Sequence, residues 1–338
     1  MLLQYFRELA ECHLRDALVT LAILPGRRLP GVFVWGMAIN IDIRGEPLFS
    51  NSGEVEEALR ATDWAHTVLG PPDTWPATMR ATLGVCFGSR FPIVTYWGPE
   101  LAVVYNSAYI PIFGAKHPYA MGMTAREAWG EIWDVIGPML EDEVLGRGRA
   151  TWSDDQLLLL RRHGFTEECY FTWSFSPIRG DDGSVIGVFT AVFETTTRVI
   201  NDRRLSTLRE LGGESLTEGE AATAAARALA QNPLDVPFAA LYLAGAEGDL
   251  SLAAHTGLAH PDAIRAEAVR RAVDQRQPLH VIDLRQLLSD FPAGPCPDPP
   301  SEAIVLPIAR SGSAEIAGAL VLGISPRLRF DDAYRDSR

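Results

Sequence analysis

The sequence predicts an α+β protein: an antiparallel sheet with flanking helices, then a second α+β unit, the two joined by an exposed helix. Three observations predict it. Cys169, Phe171, Trp173 and Phe175 alternate with Tyr170, Thr172, Ser174 and Ser176, the period-2 pattern of a strand with two unlike faces. Gly180-Asp181-Asp182-Gly183 reverses the chain into Ser184–Glu194, a strand apolar on both faces as a central strand is. Straight after Glu194 the pattern turns charged and helical, with Leu205, Leu208 and Leu211 on one side. A sheet that feeds its last strand directly into a helix can pass strain onward, which points to a sensor more than to a catalyst.

Composition sets the outer bounds. A chain of 338 residues has room for two domains, and 47% hydrophobic with 22% charged residues describes a globular protein. The net charge of −13 argues against nucleic acid or an anionic membrane as the main partner, because phosphate binding needs clustered Lys and Arg. Cys12, Cys86, Cys169 and Cys296 are far apart and form no C-x-x-C pair, so they read as isolated reduced thiols. The longest apolar runs fall short of the roughly 20 residues of a membrane helix, and the N-terminus lacks the form of a signal peptide. The expected compartment is the cytoplasm.

Along the chain, Leu3, Phe6, Ala10, Ala17, Leu18 and Leu21 fall at helical spacing, so residues 1–54 are read as a helical extension with no assigned role. Gly53–Thr62 reads as a short helix, Gly70-Pro71-Pro72 opens a rigid turn, and Ala77–Ser89 is a helix. Phe91–Tyr96 and Leu101–Tyr105 are short strands about the Gly98-Pro99 turn. Asn106 is placed to cap a helix over Ser107–Phe113 that Gly114 ends. Ala125–Leu145 reads as one longer helix, with strands Thr151–Leu160, Phe165–Ile178 and Ser184–Glu194 after it.

All eight Trp lie at or before Trp173, and the chain beyond about residue 205 is Ala-rich, which marks a boundary. The units are therefore 55–197, a connecting helix at 198–214, and 215–338. The last unit reads as helix Glu218–Gln231, strands Phe238–Ala244 and Leu250–His255, helix Pro261–Gln275, strand Pro278–Ile282, a Pro-rich loop, and a closing pair, Ala303–Ala309 and Ile316–Gly323. A helical pattern begins again at Asp331–Tyr334, so this unit is read as truncated at its C-terminus.

A family resemblance rests on short motifs recurring in order. Asp63-Trp64, Leu69-Gly70-Pro71-Pro72, Thr74-Trp75-Pro76, Ser89-Arg90-Phe91-Pro92, Tyr96-Trp97-Gly98-Pro99, Tyr105-Asn106 and Lys116-His117-Pro118 resemble PAS domains at the front of bacterial sensor histidine kinases. The likeness continues through Glu131-Ile132-Trp133, Gly137-Pro138-Met139, Trp152-Ser153, Tyr170-Phe171 and Ser176-Pro177-Ile178 to Glu194-Thr195-Thr196. Residues from about 215 resemble a GAF domain, through strand order and the Leu306-Pro307-Ile308 and Gly318-Ala319-Leu320 pair. The resemblance implies a five-stranded antiparallel PAS-like sheet, a GAF-like domain, and a signalling helix between them. A kinase core usually follows in such proteins. No His followed by an acidic residue and Pro, and no Gly-rich ATP lid, occurs in this sequence.

The chemistry-bearing motifs are sparse. No G-x-x-x-x-G-K, G-x-G-x-x-G, G-x-S-x-G or H-E-x-x-H occurs, so no catalytic residue and no metal ligand is assigned. Asp181-Asp182-Gly183 reads as hairpin chemistry. Cys86 and Cys169 lack the Asn-Cys-Arg context of flavin-type PAS domains, and Cys296 lacks the Cys-His of bilin-binding GAF domains. His117, the best-placed His, reads more readily as a surface or helix-end residue, so no flavin, bilin or haem signature is present and the cofactor is unknown. Trp97, Tyr105, Tyr109, Phe113 and the other aromatics line a small-molecule pocket or simply fill a core. From that set Tyr109, Trp129, Trp152 and Trp173 are expected to face a cavity. Glu194, Thr195, Thr196 and Thr197 are expected to be the signal hinge.

Three functions compete. The first is a PAS–GAF input module of a two-component histidine kinase, forming a homodimer through the linker helix and relaying a ligand or redox state. The second is the same input controlling another output, a serine phosphatase or cyclic-dinucleotide enzyme. The third is a stand-alone small-molecule-binding protein or enzyme, disfavoured because no acid/base or nucleophile set assembles.

Overall fold

A computed structural model describes residues 48–49, 52–212, 217–261, 264–288, 298–310 and 315–328. The helix expected over the first residues, Cys12, Cys296, most of the Pro-rich loop and the pattern at Asp331–Tyr334 lie outside them. Two five-stranded antiparallel sheets organise the described residues, each over its own hydrophobic core.

The first unit begins with α1 (Glu56–Ala61) and α2 (Ala77–Gly88), then β1 (Ile93–Trp97) and β2 (Ala102–Tyr105). Short helices α3 (Ile110–Phe113), α4 (Ala125–Ala128) and α5 (Trp133–Pro138) cross the sheet before β3 (Thr151–Leu160), β4 (Glu167–Arg179) and β5 (Val185–Glu194). The strand order is β2-β1-β5-β4-β3, which makes β5 the central strand, as its two apolar faces require. The turn from β4 to β5 closes through Gly183 N donating to Gly180 O, with Gly183 at φ +80°. Asp182 accepts from Ser184 N at 2.9 Å, a bond within the turn that helps fix it. This is the PAS-like sheet with flanking helices that the sequence predicts.

Two expectations fail here. Asn106 does not cap a helix with its side chain. Its Oδ1 accepts from Ile93 N at 3.1 Å while its Nδ2 donates to the carbonyls of Cys86, Ser89 and Phe91 at 2.8–3.1 Å. A buried amide with four partners pins the end of α2 to β1, and that is worth more than one exposed cap bond. The helix expected over Ala125–Leu145 is broken. Trp129 leaves the helical region at φ −122°, a single 3-10 turn follows, and Pro138 lies where α5 passes into a π-helix at Met139–Gly146. Proline lacks the N–H the regular ladder needs, and the widened turn accommodates it.

The helix α6 (Thr196–Leu211) leads to the second unit: α7 (Glu218–Ala230), β6 (Ala239–Ala244), β7 (Leu250–Thr256), α8 (Ala266–Gln275), β8 (Leu279–Val281), β9 (Ala303–Ala309) and β10 (Ile316–Gly323). Its order, β7-β6-β10-β9-β8, repeats that of the first sheet. Thr217 and Glu220 form a capping box that starts α7. Val269 and Ala272 of α8 join the core on one face of the sheet, while Ala222 and Ala226 of α7 pack against Leu241 on the other. The small residues of α7 let it lie close to the strands, which accounts for the Ala-rich composition of this half. The result is the α+β, GAF-like layering expected. Cys86 and Cys169 are free and buried, and burial pushes each thiol up to about 12, so both are inert.

Candidate ligand cavity and signalling joint

Strand parity decides which residues meet over the first sheet. Trp173 and Phe175 of β4, and Thr190 and Val192 of β5, point to the side covered by α3, α4 and α5. There they enclose a cavity of about 30 Å3 with Tyr109 and Trp129. Tyr109, Trp129 and Trp173 thus line it, as expected, and all three are at most 4% exposed. Trp152 does not. It pairs with Ser174, whose parity places it on the opposite face of the sheet, and it is 68% exposed. The expectation chose an aromatic without fixing the register, and one residue of register is a change of face.

Around the cavity the rings interlock. Phe113 stacks on Trp129 with centroids 4.5 Å apart, Tyr109 meets Trp129 edge-on at 6.3 Å, and Trp173 meets Phe175 at 6.0 Å. Lys116 Nζ sits 4.4 Å over the Trp129 ring and bonds the Ala128 carbonyl and Glu131. Burial pushes the Tyr96 and Tyr109 hydroxyls above their ordinary range, so both stay neutral at any physiological pH.

The joint after β5 is stitched at several points. Arg162 donates to both carboxylate oxygens of Glu194, at 2.8 and 2.7 Å, and its Nε donates to Glu167 at 2.9 Å. Burial raises the Glu194 carboxyl, but the hydrogen bonds and charge of Arg162 overcome that and hold it below the usual carboxylate range. Thr195 N donates to the Tyr170 carbonyl at 2.8 Å. Thr196 Oγ1 accepts from Tyr170 N at 2.9 Å and donates to Glu194 at 3.0 Å. Thr197 is exposed in the first turn of α6. Gly114 fits beneath Arg162 because a Cβ there, at φ +54°, would meet the Arg162 carbonyl oxygen at 2.5 Å.

One contact set was not read from the sequence. Arg203, two turns into α6, donates to Glu168 of β4 at 2.6 Å and to both oxygens of Asp235 at 2.7 and 3.2 Å. Glu168 and Asp235 side chains are almost fully buried. Glu168 N also donates to the Arg327 carbonyl at 3.1 Å. One guanidinium therefore ties the first sheet, the connecting helix and the second unit together. The available signal was Glu167-Glu168 breaking the polar–apolar alternation at the start of the strand, with Arg203-Arg204 on the helix that follows. Beside it a groove of about 160 Å3 lies between Leu208 and Leu211 of α6, Leu229 of α7, and Leu306 and Leu320 of the second sheet.

Among the described residues no group of three or more metal-ligating side chains comes together. No helix among them is long and apolar enough to cross a membrane.

No family model matches the chain, and no curated protein matches it. Solved structures similar to parts of it include GAF and PAS domains. The GAF domain of an Acinetobacter phosphoenolpyruvate-protein phosphotransferase is 13% identical with a TM-score of 0.31, over 41% of this chain and 85% of its own. The PAS domain of Bordetella pertussis BvgS is 21% identical with a TM-score of 0.30, over 40% and 98%. A sensory box sensor histidine kinase from Vibrio cholerae is 18% identical with a TM-score of 0.24, over 35% and 90%.

Proposed function

We propose that this chain is a signal-sensing input region in which a PAS-like domain relays occupancy of its cavity through a helix to a GAF-like domain. The observation that carries this reading is the continuity of β5. Thr190 and Val192 line the cavity, Glu194 two residues later is gripped by Arg162, and Thr196 begins α6. A rearrangement of the cavity wall therefore reaches the first turn of α6 over a few residues, and Arg203 carries it to Asp235 in the second unit.

The output is read as a two-component histidine kinase core, which receives the signal downstream of the GAF-like domain. The protein works in the cytoplasm as a homodimer. Leu205, Leu208 and Leu211 are each more than a third exposed along one side of α6, and that stripe supports a helix pair. Sedimentation equilibrium of the full chain at tens of micromolar tests the dimer: twice the chain mass supports it, and a monomer removes it. Phosphotransfer tests the output. Fused ahead of a transmitter core, the chain should change autophosphorylation when Glu194 is replaced by Gln, and equal rates would refute the relay.

A further inference from the structure

Several buried polar side-chain atoms among the described residues lack a hydrogen-bond partner, Arg80 Nε, Thr151 Oγ1 and Thr195 Oγ1 among them, but only at the cavity do three, Trp129 Nε1, Trp173 Nε1 and Thr190 Oγ1, share one lining. Trp64, Trp75 and Trp97 each donate their indole N–H, to Leu59 O, Gly70 O and Thr95 Oγ1, at 2.8–3.0 Å. The buried hydroxyl of Thr95 in turn donates to Val104 O at 2.9 Å. In contrast, Trp173 Nε1 and Thr190 Oγ1 make no hydrogen bond, although the two residues are 3% and 1% exposed. Trp129 Nε1 approaches the Tyr96 hydroxyl without a well-formed bond. All of these residues line the one cavity. An orphaned buried donor is costly, and three converging on one enclosed space are groups that a single occupant could pair.

The lining fixes the occupant's chemistry. An indole N–H can only donate, so the occupant must accept. No Asp, Glu, Lys, Arg or His lines the cavity, so an ion entering it would lose its hydration without a counter-charge. The space, about 30 Å3, is two to three times what one water needs on the same measure. We infer that the cavity takes an uncharged carbonyl-type acceptor of about four heavy atoms, its oxygen read by Trp173 Nε1 and Thr190 Oγ1. This rests on the reading of the cavity as the sensor's ligand site. With so few atoms the affinity is limited to a Kd of tens of micromolar at best.

The test is a titration of the full chain labelled with 15N, following the indole N–H signals. Acetone and acetamide are the probes, acetate the charged control and propane the apolar one. The Trp173 signal is assigned by its loss in Trp173→Phe. Acetone or acetamide should shift it saturably, acetate should not, and propane should leave the indole proton without the downfield displacement of a new hydrogen bond. Thr190→Val, which keeps shape and removes the hydroxyl, should weaken acetone at least fivefold. No saturable shift with either carbonyl probe, or equal binding of acetate, overturns the assignment. A charged molecule found in this cavity by native mass spectrometry and loss of its binding in Thr190→Val would also overturn it, while leaving the sensor reading intact. Carbonyl binding with no change anywhere in α6 would do the reverse.

Discussion

Arg162 and Glu194 form a two-bond ion pair, 2.8 and 2.7 Å, where the central strand of the first sheet becomes the connecting helix. The Arg162 side chain is only 11% exposed, and Glu167 holds its remaining Nε. Arg162→Ala would leave two carboxylates facing each other in a partly buried site. It should destabilise the protein by about 2–4 kcal/mol, read by urea denaturation, since stranding one partner of a buried pair costs more than the pair contributes. A loss within about 0.5 kcal/mol would mean the pair is solvated and holds nothing.

The same pair sets a pH dependence. The folded Glu194 carboxyl titrates below its unfolded value, so the unfolded state binds more protons as pH falls. Its contribution is complete above the ordinary carboxylate range, near pH 4–5, and is lost as pH drops through the lowered folded value. Stability curves of the wild type and Glu194→Gln should therefore differ at neutral pH and converge in acid. Curves parallel across that range would show that the carboxylate has no stabilising charge.

Arg203 joins Glu168 and Asp235, and both carboxylates are nearly sealed from water. Arg203→Met should cost about 3–5 kcal/mol and separate the unfolding of the two units into distinct calorimetric transitions. Adding Glu168→Gln and Asp235→Asn should recover much of that loss, because neutral amides tolerate a missing cation. A single unchanged transition in Arg203→Met would show that the units are not coupled through this residue.

At Thr190 the orphaned hydroxyl predicts a gain. Thr190→Val removes a buried donor that has no partner and keeps the volume, so the protein without a cavity occupant should become about 1–2 kcal/mol more stable. Chemical denaturation after exhaustive dialysis checks this. Destabilisation by Val would mean that something already pairs the hydroxyl.

The tryptophans separate by face. Trp129→Ala should cost about 3–5 kcal/mol, as for any large core ring, whereas Trp152→Ala, on an exposed side of the sheet, should stay within about 0.5 kcal/mol and leave acetone affinity unchanged. A large loss at Trp152 would indicate that the outer face is covered in solution.

Most of the scaffold was legible because its signals are local. Alternation along residues 169–176, the Asp-Gly turn and the charged run after Glu194 each specify an element by themselves, and β4, β5 and α6 appear where those patterns place them. What escaped depends on contacts distant in sequence. Trp152 was placed in the cavity because its face hangs on the register between β3 and β4, which contains a bulge between Ser153 and Gln156. Asn106 looked like a cap because its four buried partners lie up to 20 residues away. Arg162 and Arg203 carry no local signal of their role, since nothing beside them in sequence shows that Glu194, Glu168 and Asp235 converge on them.

The central claim is that the cavity and the connecting helix respond together. The direct measurement is a 15N titration of the full chain with acetone, following the Trp173 indole and the backbone amides of residues 196–211 in the same spectra. The account predicts that both sets shift with one Kd, and that Glu194→Gln abolishes the shifts in the helix while the indole still responds. A Trp173 indole that saturates while every amide of residues 196–211 stays unmoved would contradict it.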